Sequence, residues 1–127
     1  MPDAQRAASG SPFEAQFGFC RALRIDDRVY VAGTAPIWLD GTVDPDPGAQ
    51  MRRCLEIVRA ALGDVGASVR AVVRTRIYLV DPHDAAAVGA VHAEVLGAEP
   101  PVATMVVVAA LLDPRWRVEI EVDAVVR

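Results

Sequence analysis

The sequence predicts a two-layer α+β domain, with one sheet of five or six strands and two helices on one of its faces. Two segments carry a single apolar stripe at helical spacing, and they are separated by runs whose apolar residues recur every second position. Gly, Pro and Asp clusters stand between these segments and punctuate the chain into the order β-β-α-β-α-β-β. Strands and helices in that succession, with no repeat at solenoid periods, fit one sheet covered on one side.

Residues 1–12, rich in Ala, Ser, Gly and Pro, read as a flexible tail before a single domain spanning 13–127. Phe13, Phe17 and Phe19 would pin the end of that tail to an apolar surface. Phe19–Ile25 and Arg28–Gly33 read as a hairpin across Asp26-Asp27. Gly33 closes the second strand, where the missing side chain permits a close backbone approach. The first helix starts with Asp46 as its cap and Pro47 at its first position. Met51, Cys54, Leu55, Val58, Ala61 and Leu62 form its stripe, and Gly63 is the expected stop. Ala71–Val80 follows as a strand, with Val73, Thr75, Ile77 and Leu79 on one face and Arg74, Arg76 and Tyr78 on the other. Asp81-Pro82 opens the second helix, whose stripe is Val88, Val91, His92 and Val95 and whose end is Gly97.

The closing stretch contains two contrasting runs. Val102–Leu112 is apolar on both alternating faces, the pattern of a strand covered on both sides. Beyond the Asp113-Pro114 turn, Trp116, Val118, Ile120, Val122 and Ala124 alternate with Arg117, Glu119, Glu121 and Asp123. These two runs are expected to be neighbouring strands. The second sheet face, with its mixed residues, asks for a partner.

Hydrophobic residues make up 53% of the 127-residue chain, which points to an oligomer that buries apolar surface between copies. Net charge is −4, and no basic cluster stands out because the arginines are scattered and lysine is absent, so nucleic acid is not an expected partner. The longest apolar run is shorter than the roughly 18–20 residues that span a bilayer. The first residues lack the apolar core of a secretion signal, and Cys20 and Cys54 form no disulfide pattern. The expectation is a cytoplasmic protein without membrane association.

Standard catalytic motifs are few. His83 and His92 flank no cysteine pair, so no metal site and no cofactor are expected; His92 reads as a half-buried, hydrogen-bonded histidine. Cys20, next to Arg21, is either a small apolar filler or a thiol activated by that cation. Arg74 and Arg76 face Glu119 or Glu121 across a strand pair or else meet an acidic ligand. Glu119 is the deepest of the three acids. If an oligomer covers it, desolvation would raise its pKa and suit it to donate a proton or orient water, and an ion pair across a subunit contact is the other reading.

Together these pieces resemble the RidA, or YjgF-like, family. The resemblance rests on Phe19-Cys20-Arg21-Ala22, Val29-Tyr30-Val31-Ala32-Gly33, the Gln50 helix, the run from Val72 to Asp81, Pro101-Val102-Ala103-Thr104 and Val118-Glu119-Ile120-Glu121. It covers about Phe17 to Val126, and the member it implies is a divergent one. What it implies is a chorismate-mutase-like fold and a homotrimer with its sheets facing inward. Three intersubunit clefts would hold a small-molecule ligand, and the implied chemistry is hydrolysis of reactive enamines and imines.

In the family that this chain resembles, an arginine two residues after the proline holds the substrate carboxylate; here that position is Ala103. A cleft tyrosine corresponds to Phe19, a serine to Ala32 and a helix asparagine to Gly89. Gly33 and Glu119 match the family pattern, which makes Glu119 the candidate catalytic residue. Phe19, Arg21, Ala32, Gly33, Gly89, Ala103, Thr104 and Met105 are the candidate cleft residues. A lost charge-assisted pair costs roughly 1.5–3 kcal/mol, about ten- to more than a hundredfold in affinity. The implied deaminase would therefore act on a different substrate class, unless Arg21, Arg74 or Arg76 replaces the missing arginine. A binding or protein-protecting member without catalysis is the other expectation.

Overall fold

The computed structural model describes residues 4–127. The elements are β1 (Gln5–Ala7), α1 (Pro12–Phe17), β2 (Ala22–Ile25), β3 (Arg28–Thr34), α2 (Pro47–Asp64), β4 (Val72–Leu79), α3 (Ala85–Leu96), β5 (Val102–Val107) and β6 (Val118–Val125). They form one six-stranded sheet in the order β1-β2-β3-β6-β4-β5. Every neighbouring pair is antiparallel except β4 and β5. Helices α2 and α3 pack on one face, so the mixed α+β layering follows the sequence expectation.

Helix α2 starts where its chemistry says it should. The Asp46 carboxylate accepts from the Ala49 amide at 2.8 Å, with Pro47 at the first turn. Met51, Cys54, Leu55, Val58, Ala61 and Leu62 are all buried, and burying a large aliphatic side chain contributes roughly 1.5–3 kcal/mol. The helix runs past Gly63. The left-handed residue is Gly66, with φ 75°, and the Ala67 amide donates to Leu62 O at 2.8 Å while Gly66 N donates to Gly63 O at 3.1 Å. That double closure needs its positive φ at 66, so Gly63 stays inside the last turn.

Four expectations need correction. Residues 5–7, read as part of a flexible tail, form β1 on the edge of β2, with Ala7 buried. Residues 1–3 of that tail lie outside the described residues. Val73 is exposed and Val72 takes the core position instead, because an extra residue between Val72 and Arg74 shifts the register against β6. The apolar run from Val102 forms a strand only as far as Val107, and all six of its residues are exposed. Nor does β5 neighbour β6. The α3 crossover sets β5 parallel to β4, so β4 lies between them and β5 becomes a sheet edge beyond the cover of the helices.

The remaining strands match their patterns. In β6, Val118, Ile120, Val122 and Ala124 are buried, and Glu119, Glu121 and Asp123 point to the opposite face. Gln50, fully buried on α2, links three segments. Its amide nitrogen donates to Asp44 O and Arg115 O at 2.7 and 2.9 Å, and its oxygen accepts from Arg117 N at 2.7 Å. This holds the turn after Asp113 so that Trp116 is buried and β6 begins in register. His92 Nε2 lies 2.9 Å from Thr75 Oγ1, and burial pushes the imidazole pKa down.

Candidate functional site

The site forms where β3 ends. Val31 pairs with Val122 and Thr34 with Ile120, so three steps on β3 match two on β6. This bulge carries Gly33 up to the Glu119 carboxylate: a Cβ on Gly33 would collide with Glu119 Oε2. The missing side chain lets the acid rest against the strand backbone; with a Cβ at 33 the tip of the Glu119 side chain would have to swing aside.

Arg21 lies beside them, almost fully buried. Its Nη1 donates to Gly33 O at 2.6 Å and to Thr34 Oγ1 at 3.1 Å, and its Nε donates to Glu14 Oε2 at 3.2 Å. The guanidinium sits 5.4 Å from the Phe19 ring centroid. Glu14 itself accepts from the Ser9 amide and hydroxyl. Burial would raise its pKa, but the hydrogen bonds from Ser9 and Arg21 outweigh that and hold it lowered. Glu119 shows the opposite balance. Desolvation raises its pKa, Arg21 lowers it and Glu121 adds to the rise.

Phe19, Arg21, Gly33, Thr34 and Glu119 line a cavity of about 100 Å³ whose other walls include Phe13, Phe17, Ile57 and Trp116, and Glu14 holds Arg21 from outside that lining. Phe13 packs edge-on against Trp116, with centroids 5.7 Å apart. A second cavity of about 250 Å³ adjoins it across Phe13, Ile57 and Trp116 and is lined by Trp38, Leu39 and Arg53. An apolar chamber holding one desolvated carboxyl and fixed hydrogen-bond donors suits proton transfer on a small molecule.

The sequence profile of the family described as Endoribonuclease L-PSP matches residues 10–126. The crystal structure of Rv2704 from Mycobacterium tuberculosis, a member of the YjgF/YER057c/UK114 family, is 44% identical and covers 98% of this chain and 100% of that one, with a TM-score of 0.90. This chain belongs to that family. The YjgF gene product of E. coli superposes over 100% of this chain and 99% of its own at a TM-score of 0.84, with 25% identity. A Streptomyces coelicolor protein, SCO2049, is 38% identical over 121 residues, 94% of this chain and 90% of its own length.

Of the candidate residues in this YjgF-family chain, Phe19, Arg21 and Gly33 meet at Glu119. Ala32 turns to a neighbouring groove on the open sheet face, together with Phe19, Tyr30, Glu121 and Asp123. Ala103, Thr104 and Met105 stand on β5, beyond β4 and roughly 10 Å from β6 at two strand spacings. Gly89 lies half-buried on α3 and does not line the Glu119 cavity. Arg74 lies 4.0 Å from Asp123, while Arg76 lies 3.9 Å from Glu121 and 3.5 Å from Asp123. Both arginines are therefore paired on the open face.

Glu14, Thr34 and Trp116 are site residues that the sequence reading missed. A signal for the first was present: Ser11-Pro12-Phe13-Glu14 has the spacing of a helix start with its capping acid. The Ser11 hydroxyl does accept from Phe13 N at 3.3 Å, but Glu14 turns to Ser9 and Arg21 instead of back to Ser11. No local spacing carries that long-range pairing.

Proposed function

We propose that this YjgF-family chain forms a homotrimer and hydrolyses small enamines or imines at clefts between subunits, with Glu119 as the proton-transferring group. The supporting observation is the Glu119 carboxyl itself, packed on Gly33 in an apolar cavity with its pKa raised by desolvation. A carboxyl that desolvation makes hold its proton more firmly can protonate an enamine carbon, leaving an iminium ion. Water adds to the iminium carbon, and its proton returns to the carboxylate. The Glu119 carboxyl then protonates the carbinolamine nitrogen, the C–N bond breaks to release ammonia, and the hydroxyl proton passes to the carboxylate as the carbonyl forms. The β5 strand of a neighbouring subunit, with Ala103, Thr104 and Met105, closes the cleft. Thr104 offers a hydrogen bond there, and no arginine clamp comes from that strand.

The test is ammonia release from small imines generated in situ. Glu119→Gln should slow turnover by about 10²–10⁴-fold, the range for loss of a general acid–base. Unchanged turnover in that variant removes Glu119 from the mechanism. A second reading, ligand binding without turnover, is favoured by Ala103 standing where the family places its carboxylate-binding arginine. It predicts ligand-dependent melting shifts with no product. The family description names an endoribonuclease, but a net charge of −4 and the row Glu119, Glu121 and Asp123 favour a small ligand over a polyanion at this sheet face.

A further inference from the structure

The Glu119 cavity contains one cation, Arg21, and a carboxylate already holds it. The side chains of Arg21 and Glu14 are only 6% and 8% exposed, so their ion pair is shielded from solvent. Glu14 also accepts from Ser9 on both of its oxygens: the amide donates to Oε1 at 3.0 Å and the hydroxyl donates to Oε2. On the other side of the pair, Arg21 Nε and Nη1 are committed to Glu14, Gly33 O and Thr34 Oγ1. Among the described residues, Nη2 has no acceptor, and Arg21 lines the cavity. The guanidinium thus borders the cavity with its charge already balanced and one nitrogen without a protein acceptor. Glu119, the other ionisable group in the cavity, adds no positive charge, and the remaining walls are largely aromatic and aliphatic.

An entering carboxylate would lose its hydration and gain no net positive partner, whereas a neutral carbonyl or imine loses far less and still receives the Nη2 hydrogen bond. We propose that Glu14 is a specificity-determining residue: by balancing Arg21 it makes the Glu119 pocket select uncharged carbonyl or imine compounds with an apolar body. Glu14 acts through Arg21 and is a positioning residue, not one that touches the ligand. The inference rests on the reading of this cavity as the ligand site. On this proposal Arg21 does not act as a carboxylate clamp while Glu14 is present.

The experiment compares benzamide with benzoate, two probes of nearly the same shape that differ in charge, by calorimetry and by chemical-shift mapping on the full chain. Wild type should bind benzamide more tightly by about tenfold or more. Glu14→Gln should reverse the order, because the unbalanced guanidinium now attracts the anion. The double variant Glu14→Gln/Arg21→Gln should lose that gain, which a merely loosened pocket would keep. Equal binding of the two probes by wild type overturns the proposal without any variant being needed. So does an unchanged preference in Glu14→Gln, or a reversal that survives in the double variant. If shifts at Phe19, Gly33 and Glu119 respond to the probes in any of those cases, the cavity stands as a ligand site and only the charge selection falls. Absence of shifts there with both probes, in wild type and in Glu14→Gln, overturns the site reading as well.

Discussion

At the β2–β3 end of the sheet, Arg21, Glu14 and Thr34 are buried and hydrogen-bonded within one chain, whereas at the opposite edge β5 leaves Val102, Met105, Val106 and Val107 exposed. The first region is polar and complete; the second is apolar and unfinished. A buried charge must find its partners inside the fold, since leaving it unpaired costs several kcal/mol. An apolar edge strand is under no such requirement and can be completed by another copy. In the proposed trimer the recognition chemistry is held rigid within one subunit, and assembly is left to exposed apolar residues that a partner copy would cover.

The sharpest way to break this contrast is Val106→Asp on β5. In the proposed trimer a charge there is buried without a partner, so the variant should sediment near the 13.6 kDa of one chain at concentrations where wild type sediments as three. A trimeric Val106→Asp protein would move the interface away from β5. The next effect is at the complete end. Gly33→Ala puts a Cβ where Glu119 Oε2 lies, so the carboxylate must swing aside and the fold should lose about 0.5–1.5 kcal/mol in denaturant titration, the cost of an off-rotamer side chain. Adding Glu119→Ala should recover most of that loss, and a double-mutant cycle showing no coupling would deny the contact.

The smallest effect is a pH dependence. Glu119 has a folded pKa raised above its reference value of 4.5, mainly by desolvation. Its contribution to stability is therefore fully present below that reference and is lost as pH rises through the folded value. Glu119→Gln removes the dependence, so its melting temperature relative to wild type should be higher at pH 7 than at pH 4. A constant difference across that range would mean that the carboxyl is not desolvated.

Much of the fold was legible because its signals are local. Asp46-Pro47 and the Met51-to-Leu62 stripe specify α2, and the alternation from Val118 to Ala124 specifies β6. The strand order was not, because β5 and β6 are close in sequence and only the α3 crossover places β4 between them. Glu119 and Gly33 were identifiable from the family resemblance, and their contact explains why glycine stands there. Glu14 was not, since its partner Arg21 lies seven residues away in the link before β2 and the capping pattern points elsewhere. Nor could the alternation of β4 show that Val72, and not Val73, enters the core, because a bulge changes parity without changing composition.

The bulge between Val31 and Thr34 works as a reading frame for the pocket. Removing one residue from 32–34 would exchange the faces of Gly33 and Thr34 while leaving the rest of β3 in place. A library built on this scaffold should therefore vary identity across the bulge at fixed length.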